Sequence, residues 1–303
     1  MIERFVQNKL RWINLKNPTA AEIKSAVAEL GIPFILAQDL ATPVPKNSAA
    51  ECDSFIKVVF DFPTVKSIDA QHPNEVKFIF SKKNILSVQY EEMEGIDRFK
   101  RQFEVATTLR KNQKGITAAH LFMSLMNHLY DSASTKLDYV ESKLEDIESE
   151  IFKNNEKKMV VDISEVSKKL INFRHVMSGH EDVFQEASPL FESVYKNSFD
   201  ADLQSIRLHY DTLCRRTNSL FETLVALRET NTAMLTTRQN EIIKNLTLMA
   251  FITFPLTLLS SIFGMNVESA PIIGKAGDFW IIVAIMIFGA VCFFFFFKRK
   301  GWL

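Results

Sequence analysis

The sequence predicts an α/β domain that continues into long helices and ends in two C-terminal transmembrane helices. Charge is distributed very unevenly, because between residues 246 and 297 the only charged side chains are Glu268, Lys275 and Asp278. The first 115 residues mix strand and helix signals, whereas the following residues carry long helical patterns. A soluble domain does not separate charge in this way, so we predict a membrane protein.

Short strand and helix signals alternate in the first 115 residues. Residues 12–15 end a strand before an Asn-Pro-Thr turn at 17–19, and residues 20–30 have helical apolar spacing that stops at Gly31. Further β-rich runs cover residues 55–62, 76–80 and 85–90. This alternation is typical of an α/β unit.

Long helices are predicted over residues 117–152, 160–187 and 200–243. The last of these runs without Gly or Pro into the first apolar segment. A single helix over residues 200–263 would be about 95 Å long. Because such a helix is too long to be stable alone, we expect identical copies to pack around an axis.

Two apolar segments, residues 246–263 and 279–297, have the length of membrane spans. As helices they are about 27 and 28 Å long, which matches a hydrocarbon core of about 30 Å. Trp280 and Trp302 flank the second segment, as interfacial aromatic residues do. The alternative, a pair of core helices in a soluble protein, does not explain the charge exclusion.

The positive charges predict the orientation of the spans. The loop between the spans has one Lys against one Glu and one Asp, whereas basic residues lie before the first span and after the second: Arg238, Lys244, Lys298, Arg299 and Lys300. The N-terminal stretch has no apolar signal segment. We therefore expect a multi-pass protein of the cell (inner) membrane with both termini in the cytoplasm.

Composition argues against several other classes of protein. The formal net charge is 0 and the isoelectric point about 7.0, so no excess of cations is available to neutralise nucleic-acid phosphates. Cys52, Cys214 and Cys292 form no CxxC or Cys/His pair, and nine glycines form no phosphate-binding loop. The sequence therefore predicts neither an enzyme nor an organic cofactor.

The end of the first span carries the triplet Gly264-Met265-Asn266, preceded by Phe-Pro-Leu-Thr at 254–257. The chain closes with a basic tail that ends in Trp302 and Leu303. In these features it closely resembles the CorA family of magnesium transporters, in which a GMN triplet ends the first of two C-terminal transmembrane helices. Residues 12–15, 31–40 and 144–148 extend the similarity over most of the chain.

The resemblance implies a funnel-shaped homopentamer with a cytoplasmic α/β/α domain and a stalk helix continuous with the pore-lining span. It implies transport of hydrated Mg²⁺, with Mg²⁺ also as a regulatory ion. The expected partners are further copies of the chain, membrane lipid and divalent cations, and no nucleic acid. The predicted parts are a cytoplasmic α/β domain (residues 1–115), a helical hairpin region (116–199), the stalk with the first span (200–263), an outer loop (264–278), the second span (279–297) and a basic tail (298–303).

The triplet is the predicted selectivity filter. Mg²⁺ gives up water reluctantly, so a ring of Asn266 side-chain carbonyls would hold the hydrated ion, and Gly264 would let the chain turn towards the axis. The alternative for Asn266 is an ordinary helix C-terminal turn. Glu268 would concentrate cations at the mouth, or is simply a solvated loop residue.

Alignment on the triplet implies a pore-lining stripe whose members are three or four residues apart. Ile243, Leu246 and Phe254 would be apolar constrictions, with Thr257 and Asn240 as polar stations. A Ser or Thr in the span has the alternative of bonding its own helix, and Leu248 and Ile252 are expected to pack between helices. The stripe comprises Asn240, Ile243, Leu246, Ala250, Phe254, Thr257 and Ser261.

In the family, regulatory Mg²⁺ bridges two aspartates of neighbouring subunits. Asp39 matches the first position, whereas the second falls on Ser205, with Asp202 one turn earlier as the nearest carboxylate. We therefore expect sensing either to use Asp39 with Asp202 or to need more Mg²⁺. Two alternative functions remain: a zinc, cobalt or nickel transporter of the same architecture, and a non-conducting membrane sensor. The pore stripe has no Cys or His, which favours Mg²⁺.

Overall fold

A computed structural model describes residues 1–7, 10–43, 47–63, 74–109, 117–195, 200–265 and 277–302. The chain forms two compact units, Met1–Arg228 and Glu229–Leu303.

The described part of the first unit contains a six-stranded sheet with the order β1-β2-β6-β5-β4-β3. Neighbouring strands are antiparallel except β2 and β6, which pair in parallel. The strands are β1 Ile2–Gln7, β2 Leu10–Lys16, β3 Ser48–Cys52, β4 Phe55–Phe62, β5 Asn74–Phe80 and β6 Asn84–Gln89.

Helices cover both faces of this sheet. One face packs Ile13, Leu15 and Ile79 against α1 and α2, and the other packs Phe78 and Phe80 against α4 and α5. The predicted α/β unit with long helices is confirmed. The helices are α1 Ala20–Leu30, α2 Phe34–Ala37, α3 Glu94–Leu109, α4 Ala118–Phe152, α5 Glu156–Tyr195, α6 Asp200–Phe263 and α7 Asp278–Arg299.

Local sequence explains the ends of α1. Thr19 and Glu22 form a capping box, in which each side chain accepts a hydrogen bond from the other residue's backbone N–H. Gly31 ends the helix in the left-handed conformation, with φ of 68°, which costs a glycine little. The predicted helix over residues 20–30 is therefore confirmed at both ends.

The predicted end of the 160–187 helix is wrong, because α5 continues through Pro189 to Tyr195. Proline removes one backbone hydrogen bond. Burial of Phe191 and Val194 and a hydrogen bond of 2.8 Å from the Tyr195 hydroxyl to the Ser81 carbonyl offset that loss. Tertiary packing thus overrides the local stop signal.

The second unit contains the C-terminal part of α6 and all of α7. Within the described residues, these two helices are long and apolar enough to cross a membrane. They pack together where Phe251 and Phe297 bring their ring centroids to 6.2 Å and where Leu256 lies close to Gly289. The two predicted apolar helices are confirmed as elements of the fold.

A buried polar chain links α4, α5 and the sheet in the first unit. The His180 ring is fully buried, and burial lowers its pKa to about 4, so it is neutral. Its Nε2 lies 2.6 Å from the Asp61 carbonyl, which can only accept, so Nε2 carries the proton. The Tyr130 hydroxyl therefore donates to Nδ1 at 3.0 Å.

We predict that Tyr130→Phe lowers the free energy of unfolding by about 1–3 kcal/mol, because it leaves the buried Nδ1 of His180 without a donor. Thermal melting of the full-length chain in detergent, followed by circular dichroism, measures the loss. Tyr139→Phe is the matched control, since Tyr139 is exposed. Equal melting temperatures for the two variants would contradict the assigned hydrogen bond.

Candidate ion pathway

The first predicted span is one unbroken helix in the structure. α6 contains Pro255 in its interior, where the missing N–H leaves the carbonyl of Phe251 without its usual backbone partner. The helix nevertheless continues to Phe263. The side chains of this span therefore keep a regular helical spacing, and faces can be assigned from residue numbers.

The predicted stripe is largely uncovered in the single chain. Phe254 is 72 % exposed, and Ala250 is the one member that is half-buried. The exposed members of the stripe are Asn240, Ile243, Leu246, Phe254, Thr257 and Ser261.

The opposite face of α6 packs on α7. Leu248 is only 4 % exposed, and Ile252, Leu256 and Leu259 on the same face are half-buried. Nine residues separate Leu248 from Thr257, which turns their side chains about 180° apart around the helix. The stripe therefore points away from α7, and the burial of Leu248 and Ile252 is consistent with the predicted helix packing.

Two threonines of the span donate their hydroxyl protons to carbonyls of their own helix. Thr257 donates to the carbonyl of Thr253 at 2.9 Å, and Thr247 donates to the carbonyl of Ile243 at 2.8 Å. These residues therefore follow the alternative in which a Thr bonds its own helix. That bond is compatible with a position on a water-filled pathway. A hydroxyl that donates to its own helix keeps lone pairs that accept hydrogen bonds from water.

The predicted filter is described only in part. Gly264 donates its N–H to the Ser260 carbonyl at 2.9 Å, and Met265 has an exposed side chain at the helix end. A Cβ on Gly264 would make a tight contact, 3.1 Å from the Ser260 carbonyl oxygen, and Gly264 is not among the glycines with a left-handed φ. Asn266 and Glu268 lie outside the described residues.

Asp39, predicted to hold a regulatory ion, contacts two lysines within the first unit. Lys57 Nζ donates to Oδ1 of Asp39, and Lys77 Nζ lies 3.9 Å from Oδ2. Lys77 also donates to the backbone carbonyls of Asp39 and Thr42, the latter at 2.9 Å. The carboxylate of Asp39 thus has an ammonium group beside each of its two oxygens.

Further charges surround Lys77 on the same sheet face. Its Nζ lies 3.1 Å from Oε1 of Glu75, and both side chains are fully buried. Asp61 is directly opposite Glu75 in the β4–β5 register. Burial, together with the charge of Glu75, raises the pKa of Asp61 to about 6.

Asp202, the second predicted regulatory residue, has a different partner. Its Oδ2 lies 3.9 Å from Nε2 of His120, and both side chains are partly exposed. Among the described residues no group of three or more His, Cys, Asp or Glu side chains could hold a metal ion. The residues around Asp39 therefore do not fit a regulatory Mg²⁺, because the ammonium groups of Lys57 and Lys77 already lie at its carboxylate.

Lys57 and Lys77 were missed in the sequence. Both lie inside the predicted β-rich runs, at positions where an apolar residue is expected on a covered face. Lysines are almost never fully buried unless they are paired. Their presence in these runs was the available signal for a buried ion pair.

The model of one protein family, described as CorA-like Mg²⁺ transporter protein, matches residues 7–299. The cobalt/magnesium transport protein CorA of Thermotoga maritima is 22 % identical, over 96 % of this chain and 83 % of the relative. The cobalt/magnesium transport protein CorA of Methanocaldococcus jannaschii is 21 % identical, over 99 % of this chain and 93 % of the relative.

Solved structures show the same fold. The complete CorA magnesium transporter from Methanocaldococcus jannaschii matches with a TM-score of 0.83 at 17 % identity, over 99 % of this chain and 93 % of that one. The full-length CmaX protein matches with a TM-score of 0.64 at 13 % identity, over 97 % and 89 %. The ZntB cytoplasmic domain from Vibrio parahaemolyticus matches with a TM-score of 0.54 at 11 % identity, over 78 % and 90 %.

The family match covers nearly the whole chain, and the fold and the two apolar helices agree with it. This chain therefore belongs to the CorA-like Mg²⁺ transporter protein family, a family of membrane ion transporters and not of enzymes.

Proposed function

We propose that the chain moves hydrated Mg²⁺ into the cytoplasm through a pathway lined by the exposed stripe of α6. The observation that carries this proposal is that the stripe points away from α7, while the opposite face of α6 is buried at Leu248 and half-buried at Ile252 and Leu256. Family membership supports the transport of a divalent cation. The relatives named as cobalt/magnesium transport proteins support the choice of ion.

The pathway requires several copies of the chain, and we propose a homopentamer. One helix cannot enclose water, and a stripe that contains Ile243, Leu246 and Phe254 is exposed in the single chain. Copies arranged around an axis would turn these stripes inwards and leave α7 on the outside. The polar members of the stripe would then face water, which offers the partners that lipid lacks.

Asn266 is proposed as the ring that selects the ion, with Gly264 and Met265 positioning it. Mg²⁺ holds its water strongly, and amide oxygens accept hydrogen bonds from that water shell without stripping it. Thr257 would accept in the same way further along, since its hydroxyl proton is already donated to Thr253. Glu268 is proposed to attract cations to the mouth from a distance.

Ile243, Leu246 and Phe254 are proposed as apolar constrictions that close the pathway by excluding water. Ala250 would leave a wider section between Leu246 and Phe254, Ser261 would leave another beyond Phe254, and Asn240 would be a polar station at the cytoplasmic end. A divalent ion that crosses 100 mV gains about 4.6 kcal/mol, which is twice the 2.3 kcal/mol per elementary charge. Passive inward flow therefore needs no coupled reaction.

The orientation is proposed from the basic residues at the ends of the spans. Lys298, Arg299 and Lys300 are exposed directly after the apolar part of α7, and such residues stay in the cytoplasm. Both termini are then cytoplasmic. The segment between α6 and α7 would face outwards, in a cell (inner) membrane.

Regulation through Asp39 and Asp202 is not included in this proposal. Two ammonium groups contact Asp39, and Asp202 lies beside His120. Transport of Zn²⁺, Co²⁺ or Ni²⁺ is the second candidate function, because two relatives are named as transport proteins for cobalt as well as magnesium. The oxygen-bearing polar members of the stripe, with no Cys or His among them, favour a hard ion such as Mg²⁺.

We predict that Asn266→Ala reduces Mg²⁺ uptake into proteoliposomes by at least about tenfold, because each subunit loses a hydrogen bond worth about 1 kcal/mol to the hydrated ion. Parallel uptake of Mg²⁺, Co²⁺ and Zn²⁺ measures selectivity, and size-exclusion chromatography checks assembly. Asn245→Ala is the matched control, since Asn245 is outside the stripe. Normal uptake and normal selectivity by assembled Asn266→Ala protein would contradict the filter.

We also predict that Phe254→Ala or Leu246→Ala raises the resting conductance in planar bilayers by about tenfold, since a wider apolar section wets more readily. Phe288→Ala is the control, because Phe288 is an equally exposed phenylalanine on α7. If resting conductance stays at the wild-type level in both stripe variants, these side chains are packing residues and not a gate.

A further inference from the structure

We propose that Lys57 and Lys77 are built-in counter-ions of Asp39, which take the place of a regulatory divalent cation at this carboxylate. The chain then does not bind cytoplasmic Mg²⁺ through Asp39. This inference rests on the proposed function only where transport is the readout.

The strand register places both lysines on the sheet face that carries Asp39. Lys57 on β4 is opposite Ile79 on β5, and Lys77 lies two positions before Ile79 on the same strand. Side chains two positions apart on a strand point to the same face. Ile79 belongs to the apolar cluster under α1 and α2, so the two ammonium groups lie on the face that carries Asp39.

Lys77 is bound like a coordinated cation. Its side chain is fully buried, and its Nζ contacts oxygens of Asp39, Thr42 and Glu75. The same Nζ lies 5.3 Å from the ring centroid of Tyr90, within the range of a cation–π interaction. Carbonyls, carboxylates and an aromatic face thus already surround one positive charge.

Lys57 completes the compensation of Asp39. Its side chain is 10 % exposed, and its ammonium group donates to Oδ1, while Lys77 approaches Oδ2. Both oxygens of the carboxylate therefore have a positive neighbour. Each ammonium group would also repel a divalent ion that approached the same oxygens.

Replacement of the lysines by Mg²⁺ would be unfavourable. The ion needs near-octahedral oxygen ligands at about 2.0–2.1 Å, whereas the lone pairs of Asp39 already accept from Lys57. Displacing Lys77 would separate a buried ammonium group from Glu75, and breaking a buried ion pair is strongly destabilising. Binding of Mg²⁺ at Asp39 would therefore first require a lysine ammonium group to move away, which costs free energy.

The stalk side offers little that would offset this cost. Ser205 provides a hydroxyl and no negative charge, and Asp202 lies beside His120. The segment after α2 is thus tied to β4 and β5 by ion pairs that do not depend on the metal concentration. Mg²⁺ that acts elsewhere on the chain is compatible with this arrangement.

The first test measures Mg²⁺ binding without transport. Full-length protein in detergent is melted over a range of MgCl₂ concentrations as wild type, Asp39→Asn, Lys57→Met and the Lys57→Met/Asp39→Asn double variant. Lys82→Met, which removes an exposed lysine after β5, is the charge-matched control.

We expect Asp39→Asn to leave the Mg²⁺ dependence of melting within about twofold of wild type. Lys57→Met should strengthen stabilisation by Mg²⁺ about tenfold relative to Lys82→Met, and the double variant should lose that gain. Weakening by about tenfold in Asp39→Asn would overturn the inference. No gain in folded Lys57→Met would also overturn it, and Lys57→Gln replaces this variant if it fails to fold.

The second test titrates flux in proteoliposomes against Mg²⁺ on the cytoplasmic side. The inference expects superimposable curves for wild type and Asp39→Asn, and a shift of the Asp39→Asn curve to about tenfold higher Mg²⁺ would contradict it. Absence of flux at nominally zero cytoplasmic Mg²⁺ in wild type would count against the proposed transport function alone. The melting result would still decide the role of the lysines.

Discussion

Hydrocarbon provides no hydrogen-bond partners, and this constraint governs the C-terminal unit of the protein. Every backbone group and every polar side chain of a span must be satisfied by the protein or by enclosed water. The continuous helix of α6 meets this demand for its backbone except at the Phe251 carbonyl, and the Thr257 hydroxyl meets it by donating to the Thr253 carbonyl. Asn240 and Ser261 stay exposed in the single chain. A wet pathway between copies is the environment that suits both kinds of residue.

In the first unit, by contrast, charged side chains are buried and compensate one another. Glu75 and Lys77 are removed from water altogether and compensate each other at 3.1 Å, beside Lys57 and Asp39. Buried ion pairs are weak stabilisers but costly to break, because removal of one partner strands the other. A carboxylate held in this way is poorly suited to bind a metal ion reversibly. The sheet domain thus holds fixed, mutually compensating charges, whereas α6 is the element that we propose contacts the hydrated ion.

Periodicity and charge predicted the long helices well, because regular spacing over many residues leaves few alternatives. The bounds of α6 agree with the predicted 200–263 segment. Short elements, and elements stabilised by tertiary contacts, were harder to predict from the sequence. The strands β1 and β3 are edge strands without a strong apolar pattern, and α5 extends past Pro189 because its last turns pack on the rest of the domain. The stripe of α6 was predicted from the family resemblance together with helical spacing, whereas the contact of Lys57 and Lys77 with Asp39 could not be predicted, since only the strand register brings these residues together. Asn266 and Glu268 stay predictions from the sequence.

Cysteine accessibility along α6 tests the central claim most directly. In a background with Cys52, Cys214 and Cys292 replaced by serine, single cysteines are placed at the stripe positions 250, 254, 257 and 261 and at the α7-facing positions 248, 252 and 256. A cationic thiol reagent is then applied during Mg²⁺ flux. The account predicts that modification blocks flux at the stripe positions and leaves it unchanged at the α7-facing positions. Block at positions 248, 252 and 256 with none at the stripe would contradict the assigned pathway.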